Sequence, residues 1–100
     1  MSAFIHMVTF TLHAGKDNGE AEAFLRESKE LLAVIPGVQD FKVLRQVSAK
    51  NDHDYGFSMN FVDRAAFEAY NVHPVHAKYV AEIWESKVSS FQETDLVEYE

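Results

Sequence analysis

Between Ala3 and Leu12 the chain alternates, with Phe4, His6, Val8, Phe10 and Leu12 on one side and Ile5, Met7, Thr9 and Thr11 on the other. A period of two predicts a strand. Both sides carry apolar residues, so neither reads as a face left in water. His13-Ala14-Gly15-Lys16 predicts a turn, and Asp17 with Glu20 three residues on has the shape of a capping box. Ala21, Phe24, Leu25, Ser28, Leu31, Leu32 and Ile35 then recur at helical spacing, opposite Glu22, Arg26, Glu27, Lys29 and Glu30, until Pro36-Gly37 stops the helix. In a second strand Phe41, Val43 and Val47 share a side with Arg45, while Lys42, Leu44 and Gln46 point the other way. The polar run Ser48 to Asp52 predicts a loop.

A third strand near Tyr55 to Val62 sets Tyr55, Phe57, Met59 and Phe61 against Gly56, Ser58 and Asn60. Asp63 is placed to N-cap a short helix carrying Ala66, Phe67 and Tyr70, which Pro74 interrupts or restarts. Ala77, Val80, Ala81, Trp84 and Val88 give a further helical stripe, and Asp95 to Glu100 predicts a closing strand through Leu96, Val97 and Tyr99. Strand, helix, strand, strand, helix, strand is the split βαβ order, so the predicted fold is α+β and ferredoxin-like, a four-stranded antiparallel sheet with helices on one face. The apolar residues on the other face need a cover. A second copy packed sheet to sheet is the expected one, giving a homodimer through the open face.

One hundred residues, 47% hydrophobic and 25% charged, fit a single globular domain spanning 1–100. The absence of cysteine removes disulfides, thiol nucleophiles and thiolate metal sites, leaving His, Tyr, Asp and Glu as the chemical repertoire. Nine Lys and Arg against sixteen acids give a formal charge of −7, which disfavours nucleic-acid binding and suits a neutral or weakly charged small molecule. The start, Met1 to His6, has neither a basic n-region nor a long apolar h-region, and no stretch is long enough to span a membrane. A cytoplasmic location is expected.

The segment Tyr70-Asn71-Val72-His73-Pro74-Val75-His76 is a distinctive Tyr-x-x-His-Pro-x-His block following a short helix. With the opening Ile5-His6-Met7-Val8-Thr9-Phe10, the turn Ile35-Pro36-Gly37-Val38 and the closing Phe91-Gln92-Glu93-Thr94-Asp95, it resembles the stress-responsive α/β-barrel (Dabb) family. The resemblance covers nearly the whole chain. It implies a protomer that pairs into a dimeric α/β barrel, with a pocket between each sheet and its own helices. Family activities implied by it are few: one plant member is a cofactor-free polyketide cyclase. Carried over by position, that enzyme's catalytic tyrosine and histidine fall on Tyr70 and His76, and its pocket histidines on His6 and His73. A further histidine of its third strand falls on Tyr55 here, and the helix after His76 is longer and carries Trp84. The expected pocket therefore comprises His6, His73, Tyr55, Phe24 and Trp84 around the Tyr70 and His76 pair.

In chemical terms, His76 is suited to take a proton α to a carbonyl while Tyr70 donates a hydrogen bond to the developing enolate oxygen. Six residues apart, they converge only if the chain turns at Pro74. The competing reading is structural: His73 caps the new helix, His76 pins the turn through a backbone carbonyl, His6 is a satisfied core histidine, and Tyr55 and Tyr79 are packing aromatics. His6, His73 and His76 could in principle share a metal, but their spacing matches no metal motif, and neither metal nor cofactor is expected. His53 and Asp54 read as solvated loop residues. Two function classes follow: a cofactor-free enzyme (a cyclase, isomerase or monooxygenase-like catalyst), or a noncatalytic dimer that binds a small ligand or serves as a stress-linked structural module.

Overall fold

The alternation at the start of the chain becomes β1 (Phe4–Leu12) in the computed structural model, which describes residues 3–100. Met1 and Ser2, where the reading for a leader begins and the 1–100 domain opens, lie outside the described residues. Next come α1 (Gly19–Leu32), β2 (Gln39–Arg45), β3 (Tyr55–Phe61), α2 (Arg64–Asn71), α3 (Pro74–Tyr79), a π-helical turn over Val80–Trp84, α4 (Glu85–Lys87) and β4 (Val88–Leu96). The sheet order is β2-β3-β1-β4 with every pairing antiparallel, the ferredoxin-like βαββαβ arrangement.

Local chemistry shifts several expected boundaries. Asn18, not Asp17, caps α1: its Oδ1 accepts the Ala21 N–H at 2.9 Å, and Asp17 precedes it in the left-handed region at φ 58°. Glu20 therefore sits in the first turn rather than closing a capping box. After α1, the Val38 N–H returns to the Ile35 carbonyl across Pro36-Gly37, and Gly37 at φ 93° supplies the backbone such a turn needs. Val47 lies beyond β2 and is 84% exposed, so it shares no core face with Phe41 and Val43.

The largest correction concerns the closing strand. β4 begins at Val88 and pairs with β1 from Leu12↔Val88 to Ile5↔Leu96, leaving Val97 to Glu100 outside it. Val88, expected to end a helix, starts this strand. Ser89 to Asp95 is too polar for a core strand, but an edge strand is paired on one side only. Its backbone bonds to β1 override the weak side-chain pattern.

Phe4, His6, Val8, Phe10 and Leu12 of β1 and Tyr55, Phe57, Met59 and Phe61 of β3 are all buried on the face that the helices cover. Phe10 is a hub, with ring centroids 4.8 Å from Phe57, 5.1 Å from Trp84, 5.8 Å from Phe24 and 6.1 Å from Tyr55. Ser28 in α1 is fully buried, and its hydroxyl lies 2.7 Å from that of Tyr79 in α3, joining two helices through a polar contact within apolar surroundings. Removing the phenolic oxygen in Tyr79→Phe leaves Ser28 without its partner. The expected cost is about 1–3 kcal/mol, read as a lower denaturation midpoint at unchanged slope; a neutral result would mean that Ser28 finds another partner.

The opposite sheet face is more polar than expected. All strand Phe and Tyr residues of β1 and β3 point to the helices, so the open face presents Ile5, Met7, Leu44 and Leu96 among Thr9, Ser58, Asn60 and Thr94. His53 is half-buried rather than solvated: its Nδ1 lies 2.8 Å from Thr9 Oγ1, tying the loop before β3 onto this face. No helix among the described residues is long and apolar enough to cross a membrane.

Candidate functional site

A cavity of about 230 Å³ lies between the helix-facing side of the sheet and the segment from α3 through the π-helical turn. Val8, Phe57 and Met59 contribute its floor from β1 and β3, Leu32 the end of α1, and Trp84 the π-helical turn. Its polar groups are His6, Tyr70, His76, Tyr79, Glu85 and Glu93.

The break at Pro74 produces the convergence that spacing alone could not supply. α2 ends at Asn71, His73 is extended (φ −62°, ψ 137°), and α3 starts afresh at Pro74. The His76 ring thereby comes back to 4.6 Å from the Tyr70 ring, centroid to centroid. His76 Nδ1 is 3.0 Å from the Asn71 carbonyl oxygen. Because a carbonyl only accepts, Nδ1 carries the proton and Nε2 keeps the lone pair of a base. Burial lowers the His76 pKa from its ordinary value, and nearby His6 adds to this; the Asn71 carbonyl and Glu93 act in the opposite direction. The ring is thus biased toward neutrality.

Tyr70 is 2% exposed, and among the described residues its hydroxyl has no hydrogen-bond partner, although no side-chain polar atom is sealed away unsatisfied. Such a hydroxyl opens into the cavity. Burial, with Tyr79 and Glu93 nearby, pushes its pKa far above that of an ordinary phenol, so it remains a proton donor. His6, 7% exposed, has its ring 6.2 Å from that of Tyr70, centroid to centroid. Its Nδ1 is 2.6 Å from Asp95 Oδ1, its direct cross-strand partner. A carboxylate accepts, so the Nδ1 of this imidazole carries a proton and donates it to Asp95.

Of the residues singled out in the sequence, His6, Tyr70, His76 and Trp84 line the cavity, and His73, Tyr55 and Phe24 do not. His73 spends its Nδ1 on the Val75 N–H at 3.1 Å, the cap of α3. Tyr55 pairs with Phe10, four residues along β1 from His6 or about 13 Å, and its hydroxyl accepts the Asp17 N–H at 2.9 Å. Phe24 lies behind the wall, 6.3 Å from Phe57 and 6.2 Å from Trp84. The three histidines likewise fail to assemble as a metal set. Among the described residues, the group able to offer three ligand atoms within 4.8 Å of one another is His6, Glu93 and Asp95. From sequence, Glu93 and Asp95 enter only in the closing motif, with the last strand starting at Asp95, and take no site role; with β4 beginning at Val88, the alternation Phe91, Glu93, Asp95 is the signal that sets them on one side.

The sequence profile of the stress responsive A/B barrel domain matches residues 4–98. A Dabb family protein with a ferredoxin-like fold from Mesorhizobium loti is 40% identical, with a TM-score of 0.96 and coverage of 100% of both chains. A dimeric ferredoxin-like protein of unknown function from Thermobifida fusca superposes with a TM-score of 0.76 at 18% identity, over 97% of this chain and 92% of that one. A hydroxynitrile lyase from Passiflora edulis shares the fold at a TM-score of 0.80 and 11% identity, over 98% and 94% of the two chains. No curated protein sequence matches the chain. With one family profile spanning nearly all of it and a full-length relative at 40% identity, the chain belongs to the stress responsive A/B barrel domain family.

Proposed function

We propose that the cavity binds a small, largely apolar carbonyl compound and enolises it without a cofactor. The carrying observation is the hydroxyl of Tyr70, a residue only 2% exposed, which is unpartnered within the described residues, not sealed from the cavity, and beside His76. His76 Nε2 takes a proton from the carbon next to the carbonyl, the C–H electron pair moves to form the enolate, and Tyr70 donates a hydrogen bond to the oxygen that gains charge. Return of the proton to the same or a neighbouring carbon makes the step an exchange or an isomerisation. The His6 and Asp95 pair places a second imidazole near Tyr70 in the same cavity. That a related fold serves a hydroxynitrile lyase is compatible with acid–base chemistry in this architecture, at a level of identity that carries fold alone.

The test is deuterium incorporation α to the carbonyl when para-methylacetophenone is incubated with the protein in heavy water, followed by proton NMR. Exchange well above the buffer rate supports the reading. Binding without exchange would favour the noncatalytic alternative, in which the bonds of His73 to Val75 and of His76 to Asn71 serve only to hold the turn.

We also infer that two copies pair through the open sheet face, where Met7 and Leu44 flank Gly56. A Thermobifida fusca protein of the same fold is described as dimeric. An aspartate buried at such an interface would stand unpaired, so Met7→Asp is expected to convert a dimer to a folded monomer in sedimentation velocity. A wild-type protein that sediments as a monomer at micromolar concentration would refute this pairing.

A further inference from the structure

The cavity has a defined mouth. Leu32, Phe57, Met59, Tyr70 and Tyr79 are buried, whereas Glu85, Phe91 and Glu93 are exposed, which sets the opening along the free edge of β4 under α4. Two of those three rim residues are carboxylates. No Lys or Arg is among the lining residues, and among the described residues neither Glu85 nor Glu93 enters an ion pair with a cation.

The third rim residue is aromatic and does not stand alone. Phe91 meets Trp84 edge to face at 5.6 Å, and Trp84 lies 6.3 Å from Tyr79, so aromatic surface continues from the rim to the interior. Carboxylates next to aromatic faces attract cations by charge and by the ring quadrupole together. A carboxylate, phosphate or other anion entering the same opening would meet two like charges and no compensating cation.

Resting on the reading of the cavity as a carbonyl site, we propose that its ligand carries a protonated amine, held at the mouth by Glu85, Glu93 and Phe91 with its apolar carbonyl-bearing body against Phe57 and Met59. The site is thereby selective among carbonyl compounds for amino ketones over neutral ketones and against keto acids. Glu85 and Glu93 are the specificity-determining residues; because Glu93 also lies close enough to His76 and Tyr70 to bear on their charge, the selectivity is read in binding rather than in the exchange rate.

Three compounds of one shape separate the possibilities: para-aminomethylacetophenone as the cation, para-methylacetophenone as the neutral form and para-acetylbenzoate as the anion. Measured by calorimetry at low ionic strength, the cation is expected to bind about tenfold or more tighter than the neutral compound, with the anion weakest. The double variant Glu85→Gln/Glu93→Gln should erase that preference, read as the ratio of the cation's affinity to the neutral compound's in the same protein. Added salt should weaken the cation alone. Equal affinity for cation and neutral compound, or a preference that persists in the double variant, overturns the charge selectivity while leaving the carbonyl site intact. Failure of all three to bind overturns the carbonyl site and the selectivity with it.

Discussion

Phe10→Ala is expected to destabilise the domain by about 3–5 kcal/mol, the range for deleting a buried aromatic ring. Phe10 is fully buried and touches rings from α1, β3 and the π-helical turn, so its loss opens a void that no single neighbour can fill. For a domain of this size each kcal/mol moves the melting temperature by roughly 4–8 °C. The expected drop is therefore at least about 12 °C by circular dichroism, with Phe10→Leu, which keeps most of the volume, falling much less. A change below about 1 kcal/mol for the alanine variant would show that the sheet and helices do not share one aromatic core. Total stabilities of such domains are about 5–15 kcal/mol, so Phe10→Ala is also the substitution most able to unfold the protein outright.

The second large effect is chemical. His76→Gln is expected to lower the rate of α-deuteration by about 10²–10⁴, the usual contribution of a positioned general base. Its stability should change little, since the glutamine amide can still donate to the Asn71 carbonyl and the ring is only half-buried. A variant that keeps full exchange would remove His76 from the proposed step. The pH profile gives an independent check. The base works when unprotonated and its pKa is lowered, so activity should rise with pH to a plateau reached earlier than for an ordinary imidazole, with its inflection below 6.5. Tyr70, held protonated by burial, should impose no loss of activity through the neutral and mildly alkaline range. Stability carries the same sign. The unfolded chain binds the His76 proton more readily than the folded one, so this residue's contribution falls as pH drops through 6.5 toward its folded value.

The strands that bury one face were legible because their period is two and their facing residues are large: Phe4 to Leu12 and Tyr55 to Phe61 read correctly almost residue for residue. Asp63 as an N-cap was equally readable, since its carboxylate accepts the Ala66 N–H three residues on. β4 was not, because pairing on one edge is a property of the sheet rather than of the segment that joins it. Tyr70 and His76 could be named from their motif, but their approach depends on the extended backbone at His73, a tertiary outcome invisible in spacing. Tyr55 and Phe24 carried the right residue type for a pocket and lie elsewhere, one at the far end of the sheet and one behind its lining. In an apolar interior many aromatics suit a pocket wall, and only the packing decides which of them meets empty space.

Both free edges of the sheet are unpaired in the protomer, and each is guarded differently. β2 carries a bulge between Gln39 and Lys42, with Asp40 in a left-handed conformation and paired to Lys42 at 3.2 Å, which breaks the regular ladder that another strand would extend. β4 has no such kink near its middle, and its protection comes from the charged side chains of Glu93 and Asp95. Of the two acids that keep this edge from recruiting strands of other molecules, Glu93 also frames the cavity mouth. Neutralising them exchanges solubility for altered selectivity, and an uncharged variant of this edge is the form of the protein most exposed to aggregation.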